Sequence, residues 1–294
     1  MKFAVTPYTI KSIPKFVEAG VDIFIMGNEA YANRLVHSYS NLELEEASKL
    51  IASLEKELYI SMNIMMHNKD IDDIKQFLGF VKTLDISGII FGEVGVYQVA
   101  KEMAMEDLLI YHPETLNTNL YDPIFWDHLG IKGVTISKEI TLEEMKIICK
   151  DSPLEMSMIG HGHLNMFHSR RPLIENFFKY NRSEYEDLIN NRNLRIVEEI
   201  RNEAYPIFQD LHGTHIFRDK ALESFQEIQS IRETLDVFII DGIFKDDEYL
   251  LKVVSEYQAI LNQKEQTLAE EISKKYQEDH DSGFLYKKTV YDKY

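Results

Sequence analysis

Eight short runs of strand-forming apolar residues recur along this chain, at 2–6, 21–26, 58–63, 87–91, 108–111, 133–137, 154–159 and 237–241. Each is dominated by Val, Ile, Phe, Tyr, Met or Leu, the composition of strands covered on both faces. Helical periodicity fills the gaps. Over 42–56 the apolar residues are Leu42, Leu44, Ala47, Leu50, Ile51 and Leu54; over 71–84 they are Ile71, Ile74, Phe77, Leu78 and Val81. Thr141 followed by Glu143 and Glu144 reads as the capped start of a helix running through Ile148. Eight strand–helix units predict an α/β fold, a (β/α)8 TIM-type barrel in preference to an open doubly wound sheet. The alternative is a barrel with a broken or missing unit.

The spacing fails once. Roughly 75 residues separate the seventh and eighth runs, far more than one crossover needs. They open with a polar, helix-like stretch, 172–201. Two β-rich runs, 205–209 and 214–217, then flank Leu211-His212-Gly213, a hairpin pattern. The expected organisation is barrel units one to seven over 1–171, an insertion with a small β element over 172–235, and the last strand, closing helix and tail over 236–294. The closing helix is expected from Glu248 to about Tyr276, and the tail HDSGFLYKKTVYDKY as an extended segment on the surface.

Charge and cysteine content narrow the function. Lys and Arg number 32 against 49 Asp and Glu, a formal net charge of −17. Such a surface repels nucleic acid at long range, so RNA binding needs a local basic patch or a basic partner. A single cysteine, Cys149, excludes a disulfide framework and a self-contained iron–sulfur cluster. It lies late in an amphipathic helix and reads as buried and inert. The start MKFAVTPYTI has no signal-peptide run, and no stretch reaches the ~18 apolar residues of a membrane span. A cytoplasmic location is the expectation.

Chemistry concentrates in EMSMIGHGHLNMFHSRR, 155–171, where a buried strand runs into His161, His163 and His168 and closes on Arg170 and Arg171. Residues just past barrel strands share one face. That face is expected to gather Asn28, Glu29, Asn63, His67, Glu93, His112, Glu114, Ser137, Glu139, His161, His163 and Asp241. His161, Glu139 and Asp241 are the catalytic candidates. His163, Asn165, Arg170, Arg171, His112, Asn117 and Glu93 are the substrate-binding candidates. His161 and His163, completed by Glu93, Glu139 or Asp241, make a divalent metal site chemically possible, although no spacing matches a recognised metal motif. Each candidate has a plainer reading. The histidines can simply hydrogen-bond neighbours and shape a pocket. Glu139 can belong to a helix cap, and Asp241 can form a turn with Gly242. Asn117 can terminate a loop, and Met62, Met65 and Met66 can be packing. The arginines Arg170, Arg171, Arg192, Arg195 and Arg201 can be a solvated face, or a site for a phosphate or carboxylate. No G-x-S-x-G elbow, Walker loop or G-x-G-x-x-G fingerprint is present.

Four ordered segments resemble the collagenase-like peptidase family U32: Glu155 with His161-Gly162-x-Leu164 and Ser169-x-Arg171; Arg201 through Tyr205-Pro206-Ile207 to Gly213-Thr214-His215-Ile216; the apolar run ending in Asp241-Gly242; and Ser282-Gly283-Phe284. The resemblance implies a barrel. It also marks a departure. Many members carry four cysteines, which in some hold a [4Fe-4S] cluster, whereas Asn165, Pro172 and Leu222–Glu223 stand at or near those positions here. The chain resembles the short, cysteine-poor branch, which in bacteria occurs beside a longer cysteine-bearing paralogue. The resemblance therefore implies a cluster-free subunit, heteromeric with that paralogue, in prephenate-dependent hydroxylation of the tRNA wobble uridine, touching tRNA through the complex and without a membrane. The competing expectations are a stand-alone, metal-dependent, collagenase-like endopeptidase (a hydrolase) and a non-catalytic module that binds a small acid.

Overall fold

Alternate residues of a strand point to opposite faces, and in this chain both faces of eight strands are buried. The computed structural model describes residues 1–182, 188–200, 203–263 and 279–287. Strands β1 (Lys2–Val5), β2 (Ile23–Gly27), β3 (Glu57–Met62), β4 (Gly88–Phe91), β5 (Leu109–Tyr111), β6 (Gly133–Thr135) and β7 (Glu155–His161) are parallel neighbours in order. Helices α1 (Ile13–Glu18), α2 (Asn41–Ser53), α3 (Ile71–Val81), α4 (Val94–Glu102), α5 (Tyr121–His128) and α6 (Leu142–Asp151) link them. The chain then leaves the barrel through β8 (Asn165–Ser169), α7 (Leu173–Tyr180), β9 (Arg195–Glu198), β10 (Glu203–Asp210), β11 (Gly213–Phe217), β12 (Ala221–Leu222) and α8 (Ile228–Ile231). It returns as β13 (Val237–Ile240), which pairs with both β1 and β7 and closes an eight-stranded barrel. Helix α9 (Asp247–Leu261) and strand β14 (His280–Asp281) come last.

Inward residues Ala4, Ile23, Ile25, Tyr59, Ile90, Ile110, Val237 and Ile239 fill the lumen. Outward residues such as Phe3, Phe24, Leu58 and Phe238 pack under the helices. One end of the lumen is stoppered by Tyr59, whose hydroxyl lies 3.0 Å from Glu155 Oε1 and 3.0 Å from Lys132 Nζ. The other end, where the strands finish, is the mouth. Two helices are fastened by reciprocal caps. Ser40 and Glu43 hold the start of α2, and Thr141 and Glu144 hold the start of α6. Among the described residues no helix is long and apolar enough to cross a membrane.

Strand β7 breaks the alternation. Ile239 pairs with Ile159, but the next residue of β13, Ile240, pairs with His161, so Gly160 is an extra residue in the ladder. Such a bulge inverts the inward–outward phase of the residues after it. His161 therefore faces outward with Ile240 instead of into the mouth. Only glycine fits at the bulge: a Cβ at position 160 would lie 2.0 Å from the Phe238 ring.

The insertion differs in part from expectation. Among the described residues of 172–201 the helix is Leu173–Tyr180, and Arg195–Glu198 is a strand paired with β10; Arg201 lies outside the described residues. Strands β10 and β11 form a hairpin through Leu211 and His212, and the insertion sheet runs β8-β11-β10-β9. Its inner face carries Phe208 and Phe217, which cluster with Val36 and Ile243 over the mouth.

The C-terminal segment is docked more firmly than a surface tail. Strand β14 pairs with β12, Leu285 is buried, and its carbonyl accepts from Leu142 N–H at 2.9 Å. Asp281 receives both Nη1 and Nη2 of Arg218, at 2.8 and 2.7 Å. The expected remainder of the closing helix, 264–278, and the final residues, 288–294, lie outside the described residues.

Candidate functional site

The mouth opens onto a cleft between the strand ends and the inner face of the insertion, with a cavity volume of about 80 Å3. Ile25, Ile90, Ile159 and Ile239 make its floor. Polar walls come from several connections: Asn33 and Arg34 after β2, Asn63 after β3, His112 and Glu114 after β5, His163 and Asn165 after β7, and Asp241 after β13.

A charged cluster organises one wall. Glu114 receives Arg34 through one oxygen and Lys138 Nζ through the other, the latter at 2.9 Å. His112 Nε2 lies 3.9 Å from the same carboxylate. Burial pushes the Glu114 carboxyl up, but Arg34, then His112 and Lys138, more than offset it and hold it well below the ordinary range. Arg34 and Glu114 both adopt left-handed backbone, with φ of 54° and 75°. That conformation is uncommon for residues with a Cβ and concentrates at functional sites.

The neighbouring titratable groups are pushed toward neutrality. Burial lowers His112 and raises Asp241, whose Oδ1 accepts from Ile243 N–H at 2.8 Å. His163 Nδ1 lies 3.0 Å from the Arg218 carbonyl. The same Arg218 grips Asp281, so the C-terminal segment and the mouth are joined through one residue. Behind Arg34, the Asp210 carboxylate accepts its backbone N–H at 3.1 Å and lies 3.0 Å from His215 Nε2. The His215 ring in turn stacks on His168, with centroids 4.4 Å apart. Asn33 donates to the Asn63 carbonyl at 3.3 Å and receives no donor on its own buried Oδ1.

The mouth thus brings together His112, His163, Asn165 and Asp241 from among the sequence candidates. It does not include His161. That ring is fully buried on the outer face, with Nε2 2.6 Å from the Tyr249 hydroxyl and Nδ1 3.2 Å from that of Tyr257. The bulge at Gly160 explains why the expected pairing of His161 with Asp241 at the mouth does not occur. His161 and His163 do not converge, and among the described residues no group of three or more His, Cys, Asp or Glu is placed to hold a metal ion. Glu139 is exposed beyond β6, its backbone N–H donating to Ser137 Oγ at 3.2 Å. Glu93 is the residue before α4. Asn117 is buried beneath the mouth, donating to the Thr135 carbonyl at 2.8 Å. Arg170 and Arg171 are exposed, and Arg170 donates to the Met65 carbonyl.

Asn33, Arg34 and Lys138 were not among the expected site residues. Arg34 sits seven positions beyond the end of β2, inside a connection of 13 residues, 28–40. That length exceeds what a βα turn needs and is the one signal that marks it.

The donor set also bears on an iron–sulfur cluster. Cys149 is buried on α6 with its thiol pushed up to about 12 by burial, and no second thiol exists in the chain. These residues do not fit such a cluster.

A family model for peptidase family U32 matches residues 8–293. The chain belongs to peptidase family U32. It is 27% identical to the tRNA hydroxylation protein P2 of Bacillus subtilis (strain 168), over 98% of this chain and 98% of that protein. It is 22% identical to the tRNA hydroxylation protein P of Escherichia coli (strain K12), covering 86% of this chain and 66% of that protein. The solved structure of the U32 peptidase Mk0906 superposes with a TM-score of 0.50 at 12% identity, over 82% of this chain and 91% of that one, a likeness of fold.

Proposed function

We propose that this U32 chain is a cluster-free subunit in the hydroxylation of tRNA at the wobble uridine, dependent on prephenate and working beside a cysteine-bearing relative. The observation that carries this reading is the end-to-end match with tRNA hydroxylation protein P2, which leaves almost nothing of either chain unmatched. The lone buried Cys149 supports the division of labour: iron–sulfur chemistry has to come from another chain.

The mouth suits a small acid. Arg34 and Lys138 oppose one ionised carboxylate, Glu114, while Asp241 is pushed toward its neutral form and His112 toward its own. Arg34 stands beside an apolar floor, and in this reading its guanidinium takes a ligand carboxylate while the floor takes the hydrocarbon body. In this reading His163, Asn165 and Asp241 supply the polar contacts that orient it.

Mass-spectrometric nucleoside analysis of tRNA from cells lacking this chain tests the role. Loss of hydroxylated wobble uridine, restored by the wild-type chain but not by Arg34→Ala, is the expected result. Unchanged modification would overturn it. Anaerobic co-expression with the cysteine-bearing relative should yield a complex with iron only in that partner.

A further inference from the structure

The outward face of the insertion is unlike the rest of this acidic molecule. Between Asn165 and Arg182 the sequence carries Arg170, Arg171, Lys179 and Arg182 against Glu175 alone, in a chain of net charge −17. Arg170 reaches the Met65 carbonyl. Arg171, Lys179 and Arg182 are exposed and make no ion pair among the described residues.

Three large exposed rings lie in the same stretch. Phe177 and Tyr180 are 61% and 86% exposed, and three-residue spacing sets them on one face of α7. Phe167, 46% exposed, pairs with Ile216, whereas its neighbour His168 pairs with His215 on the mouth-facing side. Alternation therefore puts Phe167 on the outer side. Thr214 and Gln209 project from that same side to meet α7, accepting from Leu173 N–H at 3.0 Å and Glu175 N–H at 3.4 Å. Single exposed rings are ordinary. Three exposed rings and three such cations within residues 167–182 of a strongly acidic protein are the composition of a single-stranded nucleic-acid platform, where bases stack and phosphates meet cations.

We infer that the β8–α7 surface binds single-stranded RNA, with bases on Phe167, Phe177 and Tyr180 and phosphates on Arg171, Lys179 and Arg182. The choice of RNA rests on the tRNA-hydroxylation reading. Glu184, Glu186 and Asp187 come directly after in the sequence, so electrostatic attraction is limited and stacking carries the larger share. A duplex, whose bases already stack on each other, gains little from such a surface.

Fluorescence anisotropy of the full chain with a short labelled oligouridylate at low salt tests this. Wild type should bind the single strand and ignore a duplex of equal length. The double variant Phe177→Ala/Tyr180→Ala should bind about tenfold or more weakly, with an unchanged unfolding midpoint. The triple variant Arg171→Ala/Lys179→Ala/Arg182→Ala should flatten the plot of log K against log salt by about 2. No binding by wild type at low salt, or equal binding by both variants, overturns the inference. So does a ring variant that keeps RNA binding but no longer co-purifies with the cysteine-bearing relative, which would make the surface a protein interface. If deleting the chain leaves tRNA hydroxylation intact while oligouridylate binding still maps to this surface, the proposed function falls and the RNA surface stands.

Discussion

A single methyl group at position 160 would meet the Phe238 ring at 2.0 to 2.6 Å. Phe238 is fully buried and cannot retreat. Gly160→Ala is therefore expected to destabilise the fold by about 1–3 kcal/mol through overpacking, read as a lower denaturant midpoint at unchanged slope. A midpoint within error of wild type would show that β7 can straighten. The histidines give a second residue-scale expectation. Burial, and then the charge of His215, hold His168 down to about 4, below its ordinary 6.5. Burial lowers His112 and His215 as well. Between those pH values the unfolded chain takes up protons that the folded chain refuses, so stability falls as pH drops from about 6.5 toward 4. Asp210, lowered to about 2 despite its burial because His215 bonds to it, extends the loss to more acidic pH. Urea titrations at pH 7 and pH 4.5 should show a smaller loss for His168→Gln than for wild type; an equal loss would mean that this ring is not a source of the acid sensitivity.

At the scale of elements, the reciprocal cap at the start of α6 ties Thr141 to Glu144, with Glu144 N–H donating to Thr141 Oγ1 at 3.3 Å. Thr141→Ala is expected to cost about 1 kcal/mol by thermal or chemical denaturation, and Thr141→Ser much less. Equal stability for all three would show that the cap contributes nothing. This helix start was readable from the sequence because capping is local chemistry. The eight strands were readable because burial on both faces leaves continuous apolar runs. Strand β9 was not: three of its four residues are exposed, and Arg-Ile-Val-Glu shows no alternation. The placement of His161 was misread for a related reason. Counting by twos from Ile159 sends it into the mouth, and one extra residue at Gly160 reverses the count. Arg34 was hidden because its contact with Glu114 joins loops 80 residues apart.

On the scale of the whole molecule, the segment 279–287 braces the barrel through the bidentate Arg218–Asp281 pair, with Phe284 under the guanidinium. Asp281→Asn should release this segment, seen as faster amide hydrogen exchange across 279–287 with slower effects at the barrel strands. Unchanged exchange would assign the docking to Leu285 alone. The long detour between β7 and β13 has a consequence for synthesis. On the ribosome, β1 and β7 are complete well before Val237–Ile240 is made. At about 5–20 residues per second, both flanks of the nascent sheet wait several seconds for the strand that will join them. During that interval the unfinished sheet is open to pairing with another chain, the hazard of any bare strand edge. The insertion is the part being translated while the sheet waits.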